Sequence, residues 1–451
     1  MLIRKVDMIL ENFLKTSHSK ALLITGARQV GKTFSVREFG KKNYSNFVEI
    51  NFIENPEAIK LFENAKNSAD ILLRISVLKG LSLVPNETLI FFDEVQECKE
   101  IVTAIKFLVE EGSYRYILSG SLLGVELKDI RSMPVGYMDI VQMFPMDFQE
   151  FSIANGVSEE ILGLLKESFE KRIPIDQFIH RKMQELFKLY LIVGGMPASV
   201  NTFLQTNNIK EVVSEQKAII EMYKKDISKY DPKNKLHIED IFNLIPSELN
   251  AQNKRFIMKN IHDNFKLSRY ENSFLWLSEA GVALPTYNVN EPALPLLLSK
   301  ASNLFKLFLS DVGLLSSMYA ENIQIKILNE EVNINYGGIF ENIVAQELKA
   351  HGFHLYYFNS KKQGEIDFII EHQGKVLPIE VKSGKSYTRH NALNNLLSCE
   401  NYDIPEAIVF SNENVHQSDR VVYYPIYLVM FLEEEGMSED VIYKPDFSML
   451  S

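Results

Sequence analysis

The apolar run Ala21-Leu22-Leu23-Ile24-Thr25 leads directly into Gly26-Ala27-Arg28-Gln29-Val30-Gly31-Lys32-Thr33, and a helical stretch follows. A buried strand, a glycine-rich turn and a helix in that order restrict the chain to an α/β arrangement in which a strand feeds a helix at its carboxyl end. The residue types fit one task, the cradling of phosphate. Glycines let successive backbone N–H groups curl around a β-phosphate, Lys32 reaches the β- and γ-phosphates, and the Thr33 hydroxyl holds Mg2+. The residues expected to contact nucleotide are Gly26, Ala27, Arg28, Gln29, Val30, Gly31, Lys32, Thr33 and Phe34.

One such unit cannot account for 451 residues, a length that predicts two to four domains. With 46% hydrophobic and 24% charged residues, wholesale disorder is excluded. A net charge of -11 argues against coating nucleic acid through the overall field, so any DNA contact must be regional. Cys98 and Cys399 have no partners at metal-ligand spacing, which indicates neither a zinc site nor a disulfide framework and fits a reducing cytoplasm. Residues Met1 to Asp7 lack the pattern of a secretory signal. The longest apolar stretch, Ala293 to Leu315, is broken by Lys300, Lys306 and Asp311, so a packed helix pair is expected there and no membrane span.

From Ala21 to about Phe151 short β-rich runs alternate with helical stretches, the pattern of a parallel sheet covered by helices. Strands are predicted at Ala21–Thr25, Phe47–Asn51, Thr88–Phe92, Tyr114–Leu118 and Tyr137–Met143. Between Ser158 and Tyr230 the apolar period becomes helical, which predicts an all-helical lid. Helices at Ile238–Ile245, Lys254–Asn264 and Arg269–Ala280, the last capped by Ser268 and closed by Gly281, precede an apolar Val282-Ala283-Leu284 that begins a wing strand, the order of a winged helix. Trp276 is expected in its core. The predicted units are an ATPase core over 1–155, a lid over 156–235, a winged helix over 236–330, a further α/β unit over 331–430 and a tail over 431–451.

Hydrolysis needs a carboxylate for the metal shell and a group that orients water. Both emerge at the end of Leu89-Ile90-Phe91-Phe92, where Asp93 would hold the Mg2+ shell and Glu94 would position water. Tyr114 to Leu118 leads to Ser119-Gly120-Ser121, which places Ser119 or Ser121 as a γ-phosphate sensor. The sequence assigns no arginine finger: Arg28, Arg131 and an arginine from a neighbouring copy are candidates, each equally readable as a solvated side chain.

At these residues the chain resembles the bacterial and archaeal AAA-type ATPases that carry a C-terminal domain of unknown function. The resemblance rests on Gly26–Thr33, Phe92–Gln96, Ser119–Ser121, Pro145–Phe148, Val193–Pro197 and Ile245–Asn250, and implies ATP binding and hydrolysis over a P-loop NTPase parallel sheet.

A second constellation lies near the C-terminus. Gly364 to Ile370 and Val376 to Lys382 read as two strands joined through His372-Gln373-Gly374-Lys375, and period-two geometry places Glu365 with Asp367, and Glu380 with Lys382, on shared faces. This resembles the PD-(D/E)XK restriction-endonuclease core. The resemblance implies Asp367 and Glu380 as metal ligands, Lys382 as catalytic lysine, and Glu365 and helical Glu341 as supporting acids. Lys254, Arg255, Lys259, Lys266 and Arg269 form a local excess of cations for DNA contact or, equally, a solvated face.

The sequence thus predicts an ATPase whose nucleotide state controls a Mg2+-dependent nuclease-like unit acting on DNA. The rival reading is a nucleotide-dependent switch that binds DNA or a protein partner and cleaves nothing. Homo-oligomerisation would follow from an arginine finger supplied in trans.

Overall fold

The computed structural model describes residues 2–16, 19–121, 136–230, 235–251, 254–256, 267–319, 322–329 and 336–434, with backbone alone at 228–230, 235–237 and 267–272. After helix α1 (Lys5–Lys15), strand β1 (Ala21–Thr25) leads into α2 (Lys32–Asn43). Then come β2 (Asn46–Asn51), α3 (Ser68–Lys79), β3 (Thr88–Asp93), α4 (Lys99–Glu111), β4 (Arg115–Gly120) and β5 (Met138–Gln142). The five strands form a wholly parallel sheet in the order β2-β3-β4-β1-β5. Every residue of β3 and β4 is buried, as continuous apolar runs require when helices cover both faces.

The pleat divides β3 between two cores. Ile90 and Phe92 pack with α3 and α4, while Leu89 and Phe91 face the side of α1 and α2. Phe92 stacks between Phe52 and Tyr116, with centroids 6.2 and 6.5 Å away. Buried Ile101, Val102, Ile105, Leu108 and Val109 make the matching stripe on α4.

A helical region follows: α5 (Phe148–Ala154), α6 (Glu159–Lys171), α7 (Gln177–Val193), α8 (Pro197–Thr206), α9 (Ile209–Tyr230) and α10 (Lys235–Asn250). Asp147 and Glu150 cap α5 reciprocally. Between α7 and α8 the chain turns on Gly194-Gly195. A Cβ on Gly195 would stand 1.9 Å from the Met146 carbonyl oxygen, and the Gly195 amide donates to Asp311 Oδ2 at 2.6 Å. That turn joins the strap after β5 to the C-terminal part of the chain.

The remaining elements are α11 (Leu267–Glu279), β6 (Ala283–Val289), β7 (Lys300–Leu309), α12 (Val312–Met318), α13 (Ile323–Leu328), α14 (Tyr336–Ala350), β8 (Tyr356–Ser360), β9 (Gly364–His372), β10 (Lys375–Val381), α15 (Asn391–Leu397), β11 (Ala407–Ser411), β12 (His416–Ser418) and β13 (Val421–Pro425). The strands form one mixed sheet in the order β12-β13-β11-β10-β9-β8-β6-β7. The β9–β10 hairpin turns on Gln373-Gly374, whose φ angles of 50° and 70° suit a two-residue hairpin loop.

Several expectations change here. The stretch Ala293 to Leu315 is not a helix pair, because its middle is strand β7, whose Lys306 breaks the apolar run yet is buried rather than solvated. The expected wing strand is β6, paired antiparallel with β7 and parallel with β8, so the hairpin is part of the C-terminal sheet. Residues 254–256 are not helical; the Phe256 amide donates to the Phe305 carbonyl at 3.0 Å, and their rings stack. The rest of the helix expected over Lys254–Asn264 lies outside the described residues. Ser268 falls inside α11 rather than before it, whereas Trp276 is buried as expected. Among the described residues no helix is long and apolar enough to cross a membrane.

Gly195→Ala is expected to lower stability by about 1–3 kcal/mol through backbone collision. Gly163→Ala, inside α6 with open space at its Cβ, is expected to be neutral or stabilising by about 0.5–1 kcal/mol. Denaturant unfolding of both variants checks the contrast.

Candidate nucleotide site and a carboxylate–lysine cluster

The loop between β1 and α2 needs its glycines. Gly26 has φ 139°, and a Cβ there would come within 2.1 Å of the Met143 carbonyl oxygen; Gly31, at φ 102°, is the N-cap of α2. Arg4 pins the loop from outside, donating from Nη1 to the Val30 carbonyl (2.7 Å), from Nη2 to the Phe144 carbonyl (2.8 Å) and from Nε to Glu150 (3.1 Å). Sequence reasoning passed over Arg4 because an isolated N-terminal arginine reads as solvated.

Lys32 lies folded across the loop, its ammonium donating to the carbonyls of Gly26 (2.9 Å) and Ala27 (2.7 Å). Burial lowers this amine to about 8 despite the opposing pull of Glu94 and Asp93. The Thr33 hydroxyl donates to Asp93 at 3.0 and 3.1 Å, Asn51 Nδ2 donates to Asp93 at 2.9 Å, and the Ser119 hydroxyl also donates to Asp93. Burial raises the Asp93 carboxyl, with the Ser119 and Thr33 hydrogen bonds opposing it. The structure therefore gathers Lys32, Thr33, Asp93 and Ser119 at the carboxyl ends of β1, β3 and β4. Asn51 was missed; its cue is the register of β2, which sets it beside Asp93.

Glu94 adopts left-handed φ 57° and accepts from Gln96 Nε2 at 2.5 Å, while Gln96 Oε1 accepts from the Ser121 amide at 3.2 Å. Gln96 thus links the acid expected to orient water with the serine beyond β4. Arg28 donates to Asp226 of α9 (2.7 Å) and to the Ser121 hydroxyl (3.4 Å), and the Tyr223 hydroxyl donates to the Arg28 carbonyl (3.1 Å). Phe34 is exposed at the start of α2. Arg131 lies outside the described residues.

In the C-terminal sheet, Lys306 is completely buried. Its ammonium stands 3.3 Å from Glu341, 2.9 Å from Glu365 and 3.8 Å from Asp367. Lys254 also pairs with Glu341, Arg255 stands 3.8 Å from Glu365, and Lys382 pairs with Glu380 at 2.6 Å. The Val381 amide donates to Asp367 at 2.9 Å. Burial pulls the Lys306 ammonium down, but Glu341, Asp367 and Glu365 outweigh it and hold it above its ordinary value. Burial raises the Asp367 carboxyl, with Glu341 and Glu380 adding to the effect.

Four carboxylates, Glu341, Glu365, Asp367 and Glu380, thus meet four cations from the chain itself. Among the described residues Glu341, Asp367 and Glu380 do not form a trio with all ligand atoms within 4.8 Å of one another. Lys254 and Arg255, expected either at a DNA contact or on a solvated face, pair with acids of this cluster. Lys259, Lys266 and the side chain of Arg269 lie outside the described residues. Lys306 was missed because its strand reads as helical.

Residues 18–152 match an AAA domain. The chain carries an AAA-type P-loop ATPase domain. Residues 184–326 match a domain of unknown function, DUF8612, and residues 336–429 match another, DUF4143. Among solved structures, the Walker-type ATPase PABY2304 of Pyrococcus abyssi aligns at 14% identity and TM-score 0.42, covering 70% of this chain and 96% of that one. The ORC1 protein of Aeropyrum pernix in complex with DNA aligns at 13% identity and TM-score 0.28, covering 73% and 91%. Comparison with curated proteins gave no match.

The Lys32 amine at about 8 sets a pH dependence. A triphosphate favours the charged amine and raises its pKa in the complex, so ATP affinity is full below pH 8 and falls as pH rises through it. Calorimetry at pH 8.5 in buffers of different ionisation enthalpy should report proton uptake on ATP binding that Lys32→Arg abolishes. Separately, Lys306→Met leaves buried acids without their central cation and should cost about 3–5 kcal/mol in thermal unfolding experiments.

Proposed function

We propose that this chain is an ATP-hydrolysing switch whose nucleotide state is passed to a nuclease-like C-terminal unit that docks a partner, DNA or protein, without cleaving it. The observation that carries the reading is the meeting of Lys32, Thr33, Asp93 and Ser119 at one end of the parallel sheet, together with the tie from Arg28 to Asp226 on α9.

The donor set fits magnesium: a threonine hydroxyl beside a buried carboxylate at the end of a strand. Thr33 and Asp93 would hold the ion, which supplies charge neutralisation across the β- and γ-phosphates. Lys32 exchanges the Gly26 and Ala27 carbonyls for phosphate oxygens. Glu94 orients the attacking water, and Ser119 or Ser121 senses the γ-phosphate. Arg28, adjoining the loop and Ser121, is drawn toward added phosphate charge and away from Asp226, which loosens α9 from the loop.

The winged-helix assignment for 236–330 and the restriction-endonuclease-like assignment for 331–430 belong to this proposal. The non-cleaving form is preferred because Lys306 and Lys254 neutralise the acids that would bind metal. The cleaving form is favoured by a separate observation, the pairing of Lys382 with Glu380 beside Asp367, the trio its mechanism requires. Asp367 and Glu380 would then be metal ligands, Lys382 the catalytic lysine, and Glu341 and Glu365 supporting acids.

ATP turnover is expected in the wild type and lost in Lys32→Ala, whereas Glu94→Gln should keep nucleotide binding and slow turnover by about 10²-fold or more. Supercoiled DNA incubated with Mg2+ or Mn2+ should stay intact with the wild type. Cleavage abolished by Lys382→Ala would instead establish the nuclease reading, and turnover indifferent to Lys32 would remove the ATPase.

A further inference from the structure

Away from both sites, Asp147 before α5, Glu347 on α14 and His351 just past the end of α14 converge in the interior. One ligand atom from each of the three residues lies within 4.8 Å of the other two. The imidazole nitrogen stands 3.4 Å from the Asp147 oxygen and 3.7 Å from the Glu347 oxygen. Ligands placed tetrahedrally at about 2.1 Å from one ion are about 3.4 Å apart, and the two distances from the imidazole nitrogen come close to that spacing.

The outer contacts orient each donor inward. Asp147 Oδ1 accepts from the Glu150 amide at 2.8 Å, and Glu347 Oε1 accepts from the Phe148 amide at 2.9 Å. His351 Nδ1 lies 2.9 Å from the Leu432 carbonyl, which can only accept, so a proton sits on Nδ1 and Nε2 is the nitrogen turned to the two carboxylates. Glu347 Oε2 has no hydrogen-bond partner although its side chain is 0% exposed. Burial and the neighbouring Asp147 push the Glu347 carboxyl up to about 8, so it is held protonated, and a cation between the two acids would take that proton's place.

Lys5 now covers the fourth side. Its ammonium lies 2.8 Å from Asp147 Oδ2 and 3.4 Å from His351 Nε2, and also 3.2 Å from Glu433. Its side chain is 31% exposed, so it can swing toward Glu433 without crossing the core.

We infer that Asp147, Glu347 and His351 form a binding site for a divalent transition-metal cation of the zinc class, with the Lys5 ammonium as its displaceable stand-in. Two carboxylates and one imidazole suit Zn2+ better than Mg2+, which prefers oxygen ligands. The ion would clamp the β5–α5 corner of the ATPase unit to α14 of the C-terminal unit, and it lies apart from both phosphate chemistry and the Lys306 cluster.

The test uses the full chain, stripped with chelator and titrated with Zn2+ against a chromogenic competitor. One Zn2+ per chain is expected, with a raised thermal midpoint. His351→Gln should weaken binding more than about 100-fold. Lys5→Ala keeps all three ligands and removes the competing ammonium, so it should tighten binding about tenfold or more and remains informative where the histidine variant folds poorly. X-ray absorption of the loaded protein should show one imidazole among N/O ligands. Absence of stoichiometric Zn2+, or an affinity unchanged in both variants, would overturn the inference. Asp93→Asn should leave the stoichiometry at one, and a loss there would place the ion in the nucleotide site and sink the proposal.

Discussion

The Asp93 carboxylate is the point on which the nucleotide-binding half depends. It closes a strand buried on both faces and accepts from Thr33, Asn51 and Ser119, so α2, β2 and β4 are registered on one group. Taking a carboxylate out of water is tolerable only with several donors in place. Those donors arrive only when the parallel sheet has its observed strand order, so the local chemistry and the topology specify each other.

Much of this half was legible in the residues. Glycines with no alternative at their backbone angles, an apolar strand ending in Asp93 and a serine at the end of the next strand are short-range signals, and the fold preserves them. What eluded the reading acts across long separations. Arg4 bonds to Val30 and Phe144, Asp226 to Arg28, and Asn51 to Asp93, and in each case a polar residue on its own element resembles solvated surface.

The C-terminal half was legible only in part. The β9–β10 hairpin and its turn follow from alternation and from Gln373-Gly374. β7 does not, because a lysine inside an apolar stretch normally marks the wet side of a helix. Lys306 instead meets Glu341, Glu365 and Asp367, acids that enter from two other elements. No local pattern could reveal that the acids have an internal counter-ion.

The position of β6 and β7 at one end of the second sheet bears on modularity. A fragment begun at residue 331 would leave behind both strands and Lys306, uncovering the edge of β8 and stranding Glu341, Glu365 and Asp367 without their shared counter-charge. A cut at residue 331 would therefore part Lys306 from all three acids it pairs with. The unit that can travel as one piece starts upstream of the hairpin.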